Sequence, residues 1–256
     1  PPKEGFPKAK TYAKKALEID DTLAEAHAAL GYISMFYDWN REAAEREFKK
    51  ALRLNPNSAN AHLHYSQFLT VTGQHERAIV EAKKGREIDP LSNFANSMVG
   101  SAIRYSGQYD KAIEELQKTL KMFPDYYHPR FQLAMAYRGK MMLEDSRVEW
   151  EKAVELTRGA PFIVMGLAVI NDELGNKAQA DELFDSLKQR AEHEYVPPMS
   201  FFYFHVIRDE LDKACEWLER ACEERDSILT FSSVEPCYRI PDEPRFNEIL
   251  NRYGLR

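Results

Sequence analysis

The residues most able to do chemistry are few, and their spacing argues against a reaction centre. His62 and His64 form an H-x-H pair. On a helix, residues two apart point in different directions. No Cys or carboxylate accompanies them at metal-ligand spacing, so they read as surface or core groups. Cys215 and Cys222 lie two turns apart on one stretch of helical pattern, with Cys237 as a third thiol. An odd number without a C-x-x-C pair fits a reducing compartment, and the first two read as packing groups. Any two helices can bring a pair of carboxylates together for acid–base work, but no pair is marked out. There is no phosphate loop, dinucleotide fingerprint, nucleophile elbow or H-E-x-x-H helix. The expectation is a chain that is not an enzyme, with no metal and no cofactor.

Bulk properties narrow the partners. The formal charge is -6 and the pI is about 5.7, so no positive field exists to hold nucleic acid or an anionic membrane. The longest apolar run, residues 161–170, is about half the ~20 residues that a membrane-crossing helix needs. No sorting signal is visible, and cytoplasm is the default reading. Only 11 glycines, with abundant Ala, Leu, Glu and Lys, favour helix throughout.

Those helices repeat. From Ala59, segments of 34 residues start again at Asn93, Tyr127, Pro161 and Tyr195 without a gap; an earlier one starts at Ala24 and is one residue longer, in its YDWN turn. Position 8 of the repeat is small (Gly31, Ser66, Gly100, Ala134, Ala168), and so is position 20 (Ala44, Ala78, Ala112, Ser146, Ala180, Ala214). Small residues there let two helix axes approach to about 8–10 Å. Position 24 carries a bulky knob in most repeats: Phe48, Leu116, Trp150, Phe184, Leu218. Gly73, Gly107 and Gly175 stand where a first helix would end, and Pro56, Pro90 and Pro124 where a second helix would stop.

This pattern resembles the tetratricopeptide repeat family, from about Phe6 to Asp226. The resemblance implies an all-α fold, a right-handed α-α superhelix of helix-turn-helix repeats. The whole chain, 1–256, is expected to form one solenoid domain. Its parts are a half-repeat at 6–23, repeats at 24–58, 59–92, 93–126, 127–160, 161–194 and 195–228, and a C-terminal cap at 229–256. Met141, Arg158, Glu192, Thr119 and Gly85 depart from the family pattern and bear on local geometry around them. In the cap, Phe246, Ile249, Leu250 and Tyr253 make one apolar helix face, with Asp242 expected as N-cap and Gly254 as C-cap. Residues 6–19 look like a second helix without its first. That leaves an apolar flank for self-association, or for a further repeat or domain upstream. The C-terminal wording (ACEERDSIL, DEPRFNEILNRYGL) also resembles the tails of bacterial signalling and regulatory proteins of this family.

In such arrays the first helices line the concave face, with positions 2, 5, 9 and 12 pointing inward. The resemblance therefore implies a peptide-binding groove that includes Tyr32, Met35, Leu63, Gln67, Arg104, Phe131, Met135, Arg138, Met165, Met199 and Tyr203. Flexible Met and aromatic side chains suit a peptide or amphipathic helix of a protein partner. The competing reading is that the apolar members are core between repeats. Arg104 and Arg138 are suited to grip a carboxylate or phosphate, or to pair with acids of neighbouring repeats. On the gripping reading, joint charge reversal of the two abolishes partner capture without unfolding. The Lys and Asn set by which one subclass clamps chaperone C-termini is missing: Leu63, Gln67, Met98 and His128 stand there. The alternatives are a self-association module and, less favoured by the acidic charge and apolar wall, an RNA-binding helical repeat.

Overall fold

The computed structural model describes residues 1–232, 234–235 and 240–255; Cys237 lies outside them. Among the described residues every regular element is helical. The chain divides into two compact units, 1–108 and 109–256.

The first unit holds α1 (Pro2–Ile19), α2 (Ala24–Phe36), α3 (Arg41–Leu54), α4 (Ala59–Val71), α5 (His75–Ile88) and α6 (Asn93–Tyr105). The pairs α2–α3 and α4–α5 pack closely, and α2, α4 and α6 also touch in series. The second unit holds α7 (Tyr109–Met122), α8 (Tyr127–Gly139), α9 (Leu143–Thr157), α10 (Pro161–Glu173), α11 (Lys177–Arg190), α12 (Pro198–Ile207), α13 (Leu211–Glu223) and α14 (Pro244–Arg252), with a short 3-10 turn at Ser227–Thr230. Here α8–α9, α10–α11 and α12–α13 are the close pairs.

Small residues govern the pairing. Ala44, Ala78, Ser146, Ala180 and Ala214 are fully buried. Where serine replaces alanine it bonds across the same close approach, read from either side. Ser66 Oγ at position 8 donates to the Ala78 carbonyl at position 20 (2.7 Å), whereas Ser146 Oγ at position 20 donates to the Ala134 carbonyl at position 8 (2.8 Å). Knobs fill the space beside glycine: a Cβ on Gly31 would stand 2.9 Å from the Phe48 ring. Gly85 plays the same part late in its second helix, where a Cβ would meet Leu63 Cδ2 at 2.6 Å. The turn glycines Gly73, Gly107 and Gly175 have φ of 75–84°, and Met141 takes the same left-handed conformation (φ 59°) in place of glycine.

A polar staple, not anticipated from the sequence, ties early first helices to the chain that enters them and, at His27, His62 and Arg130, to the paired second helix as well. His27 Nδ1 lies 2.7 Å from Glu47 and its Nε2 3.1 Å from the Asp21 carbonyl. His62 repeats this with Glu81 (2.5 Å) and the Pro56 carbonyl (2.9 Å). Asn96 donates to the Pro90 carbonyl (2.8 Å). In the second unit Arg130 bonds Glu149 (3.0 Å) and the Pro124 carbonyl (3.1 Å). The group at position 4 thus satisfies a carbonyl in the inter-repeat turn. His62 is held above the usual imidazole range by its bond to Glu81. Burial would raise Glu81, but hydrogen bonds from His62 and Lys84 outweigh it and leave the carboxyl lowered. The H-x-H pair is therefore split: His62 serves the staple and His64 points elsewhere.

The period places a first helix from Tyr195, yet α12 begins at Pro198. Val196 and Pro197 each precede a proline, which disfavours helical backbone at both. No residue next to the helix start caps it through a side chain. Instead Asp226, beyond α13, accepts from the Met199 N–H (3.0 Å) and from the Ile228 N–H (3.0 Å). Asp226 is 1% exposed, and burial pushes its carboxyl up to about 6 against the bonds from those two amides. A folded-state pKa above the unfolded 3.8 favours the protonated form on folding. That stability is complete below about pH 3.8 and is lost as pH rises through 6. Relative to Asp226→Asn, the wild-type chain should therefore gain about 1 kcal/mol in urea-unfolding stability between pH 7 and pH 5. Parallel pH profiles for the two proteins would contradict this.

At the C-terminal end, Phe246, Ile249 and Leu250 of α14 are buried, and Phe246 meets Phe202 edge-on at 5.3 Å. The cap differs from expectation. Glu243, not Asp242, accepts from the N–H groups of Arg245 (2.7 Å) and Phe246 (3.2 Å), because Pro244 takes the first helical position and fixes the residue before it as N-cap.

Candidate functional site: an aromatic wall on the first helices

In the first unit, successive first helices carry a row of rings. Tyr32 on α2 meets His64 on α4 edge-on at 4.8 Å, and His64 faces Phe94 on α6 at 6.3 Å. Phe6 of α1 extends the row by stacking on Tyr32 at 6.3 Å and on Tyr37 at 5.3 Å. Tyr32, His64 and Phe94 are half-buried, each with part of its surface open. Burial lowers the His64 pKa against a bond to Gln67 (3.2 Å), so the imidazole is neutral at pH 7 and acts as one more aromatic surface.

The second unit has its own row. His128 and Phe131 of α8 meet at 6.0 Å, and Phe131 meets Phe162 of α10 edge-on at 5.6 Å and Trp150 of α9 at 5.4 Å. Tyr126 lies beside them, 6.1 Å from His128. Its phenol is pushed up to about 12, chiefly by burial and then by Tyr127.

Of the groove residues expected from the sequence, Tyr32, Gln67, Phe131 and Arg138 keep accessible surface. Met35, Leu63, Arg104, Met135, Met165, Met199 and Tyr203 are buried. Leu63 packs with Ala95 and Met98, as core between repeats does. Arg104 is 0% exposed and lies over the Tyr105 ring at 4.1 Å. Arg138 donates from Nε (2.9 Å) and Nη2 to the Glu173 carboxylate, so its fork is already held by the next first helix. His64, Phe94, His128 and Phe162 were not among the expected residues. The signal for three of them was in the repeat, since position 2 reads Phe94, His128, Phe162 in succession.

A second concavity, ≈ 530 Å³, opens among α11, α12 and α13, where α11 and α12 approach each other less than α9 and α10 do. Phe201 and Trp217 stack at 4.3 Å on its floor. Its charges pair among neighbours, Lys188 with Asp185 (3.2 Å) and Arg220 with Glu224 (2.6 Å), which leaves little net field. Among the described residues no cluster of His, Cys, Asp and Glu is arranged to hold a metal. Cys222 is buried, which pushes its thiol up to about 12, far from a reactive thiolate. No described helix is long and apolar enough to cross a membrane.

A family model, Tetratricopeptide repeat, matches residues 40–90. The fold is that of tetratricopeptide-repeat proteins. Solved structures agree on the fold. PilW, a widely conserved type IV pilus biogenesis factor, aligns with TM-score 0.61 at 20% identity, covering 75% of this chain and 88% of its own. PilF of Pseudomonas aeruginosa aligns at 0.56 and 16% identity, covering 91% and 98%. Human IFIT1, solved as a dimer with PPP-AAAA, aligns at 0.69 and 17% identity; it covers 97% of this chain, which spans 58% of IFIT1. Comparison with curated proteins gave no sequence match. At these identities the likeness is one of tetratricopeptide architecture.

Proposed function

We propose that the tetratricopeptide array is a protein-interaction scaffold whose first helices hold a segment of a partner protein against the half-buried rings, without chemistry of its own. The observation that carries this is the stepping of Tyr32, His64 and Phe94 in one unit, and of His128, Phe131 and Phe162 in the other. Rings with one face packed and one edge open give large contact area at low entropic cost. No net charge is needed to hold the segment, so capture should depend weakly on salt. Arg138 and Glu173 sit at the edge as a pair that can exchange partners. A role within a bacterial regulatory polypeptide is part of the proposal and rests on the C-terminal wording alone.

The test is selection of binding peptides by display on the purified chain, followed by titration of the best one against ring variants. His64→Ala with Phe94→Ala, and separately Phe131→Ala with Phe162→Ala, should each weaken binding at least tenfold, with helix content unchanged. Affinity unmoved by both double variants would place the partner elsewhere. A second reading, self-association, draws on α1, where Tyr12 is 71% and Ile19 88% exposed. Light scattering at monomer mass would exclude it. The RNA that IFIT1's ligand brings to mind is opposed by the charge of -6, and a low-salt gel shift would decide it.

A further inference from the structure

The helix α1 carries the register of a second helix, because Ala9 precedes Ala24 by the same interval as Ala44 precedes Ala59 and Ala78 precedes Asn93. One flank is anchored: Phe6 stacks on Tyr37 at 5.3 Å, Lys10 bonds Asp38 at 2.5 Å, and Ala13 is buried. The other flank is open. At the position of Ala9, the residues Ala44, Ala78, Ser146, Ala180 and Ala214 are each 0% exposed on helices paired with a first helix, whereas Ala9 is exposed. Tyr12 and Ile19 stand on the same side of α1 and are 71% and 88% exposed.

The charge pattern of this flank is inverted. One turn after Ala44, Ala78 and Ser146 stand Glu47, Glu81 and Glu149, which bond His27, His62 and Arg130 of their first helices. The matching residue of α1 is Tyr12. One turn further, Lys84, Lys118 and Lys152 each pair with the preceding glutamate (3.1, 3.8 and 2.8 Å), but Lys15 follows Tyr12 and has no such glutamate. Among the described residues no carboxylate lies within ion-pair distance of Lys8, Lys14 or Lys15. Residues 1–19 hold five lysines against two glutamates, in a chain whose formal charge is -6.

We propose that this flank of α1 docks an amphipathic helix of a partner protein, with acidic residues beside its apolar stripe, in the place a first helix takes in the other pairs. Ala9 is small enough for a helix axis to approach to about 8–10 Å. Tyr12 and Ile19 supply the apolar contact, and Lys8 and Lys15 run alongside them. A carboxylate on the incoming helix does for Lys15 what Glu81 does for Lys84. The chain's own first helices are poor occupants: His27, His62 and Arg130 stand where that carboxylate belongs and would bring a base to meet the lysines. A second copy is therefore disfavoured. The docked helix needs no contact with the ring wall.

The probes are two fluorescent peptides that copy residues 58–72, a first helix of this chain, each locked as a helix by a hydrocarbon bridge and differing at one place: His62→Glu in one, His62→Lys in the other. Titrated with the full chain and followed by anisotropy, the glutamate peptide should bind about tenfold more tightly than the lysine peptide, and added salt should shrink the difference. Lys8→Glu with Lys15→Glu in the chain should reverse the order. Ala9→Leu should remove binding of both. All three residues are exposed, so circular dichroism should be unchanged. Equal affinities, an order that the double variant leaves in place, or full binding by Ala9→Leu would each overturn the proposal. So would a dimer that Ala9→Leu returns to monomer, since a second copy then covers the flank. Sedimentation of the chain with phosphatidylglycerol vesicles, lost in the double lysine variant, would assign the flank to a lipid surface instead. His64→Ala with Phe94→Ala should leave the peptide titration unmoved; loss of binding there would place the peptide on the ring wall and sink the α1 site alone.

Discussion

Arg104→Glu should destabilise the chain by on the order of 3–5 kcal/mol, seen as a large fall in the urea midpoint by far-UV circular dichroism. The guanidinium is 0% exposed and lies over the Tyr105 ring at 4.1 Å. A carboxylate in its place would be stripped of water and set against the negative face of that ring. The same inversion at Lys188, on the open rim of the cleft among α11, α12 and α13, should stay within about 0.5 kcal/mol. A mild effect at 104 would mean that the side chain reaches water in solution. Joint reversal of Arg104 and Arg138, which the sequence offered as a clean binding test, is thus a folding experiment. Loss of capture in that variant would say nothing about a groove.

Trp150→Ala should cost about 3–5 kcal/mol, the range for truncating a large buried aromatic. The indole is 0% exposed, meets Phe131 at 5.4 Å, and presses its six-membered ring on Gly166. Because repeats in an array lean only on their neighbours, the loss should appear as an earlier or separate unfolding step and not as uniform weakening. Gly166→Ala probes the same contact from the other side. In an exposed helix that change gains about 1 kcal/mol; here the new methyl collides with a rigid ring, and overpacking of about 1–3 kcal/mol reverses the sign. Combining it with Trp150→Leu should restore part of the loss, a coupling that independent sites would not show. If Gly166→Ala stabilises the protein, the close packing is wrong.

The architecture was legible because its cause is local and recurrent. Small residues at positions 8 and 20 record a close approach, and Ser66 and Ser146 bond across that approach as their phase implies. The start of α12 was not legible: the group that caps Met199 is Asp226, 27 residues away. The staple was hidden for a related reason. His62 finds its use only when Glu81 and the Pro56 carbonyl arrive from two directions. The wall was half legible. A first helix has apolar flanks toward both neighbours as well as an inner face, so helical spacing alone did not separate Leu63 and Met165, which are core, from Tyr32 and Phe131, which keep open surface. Position 2, which holds the half-buried rings Phe94, His128 and Phe162 in three successive repeats, was the more informative register.

The carboxylate of Asp226 binds the beginning of α12 from a point in the chain past α13. Chain order and mechanical order therefore disagree at this end of the molecule. A shortened protein that stops at Arg225 would lose its tail and also leave the Met199 amide bare, and α12 would fray from its first turn. For anyone trimming the sequence, α12, α13 and the Asp226 segment behind them are a single piece, and a cut between Pro197 and Asp226 would break it.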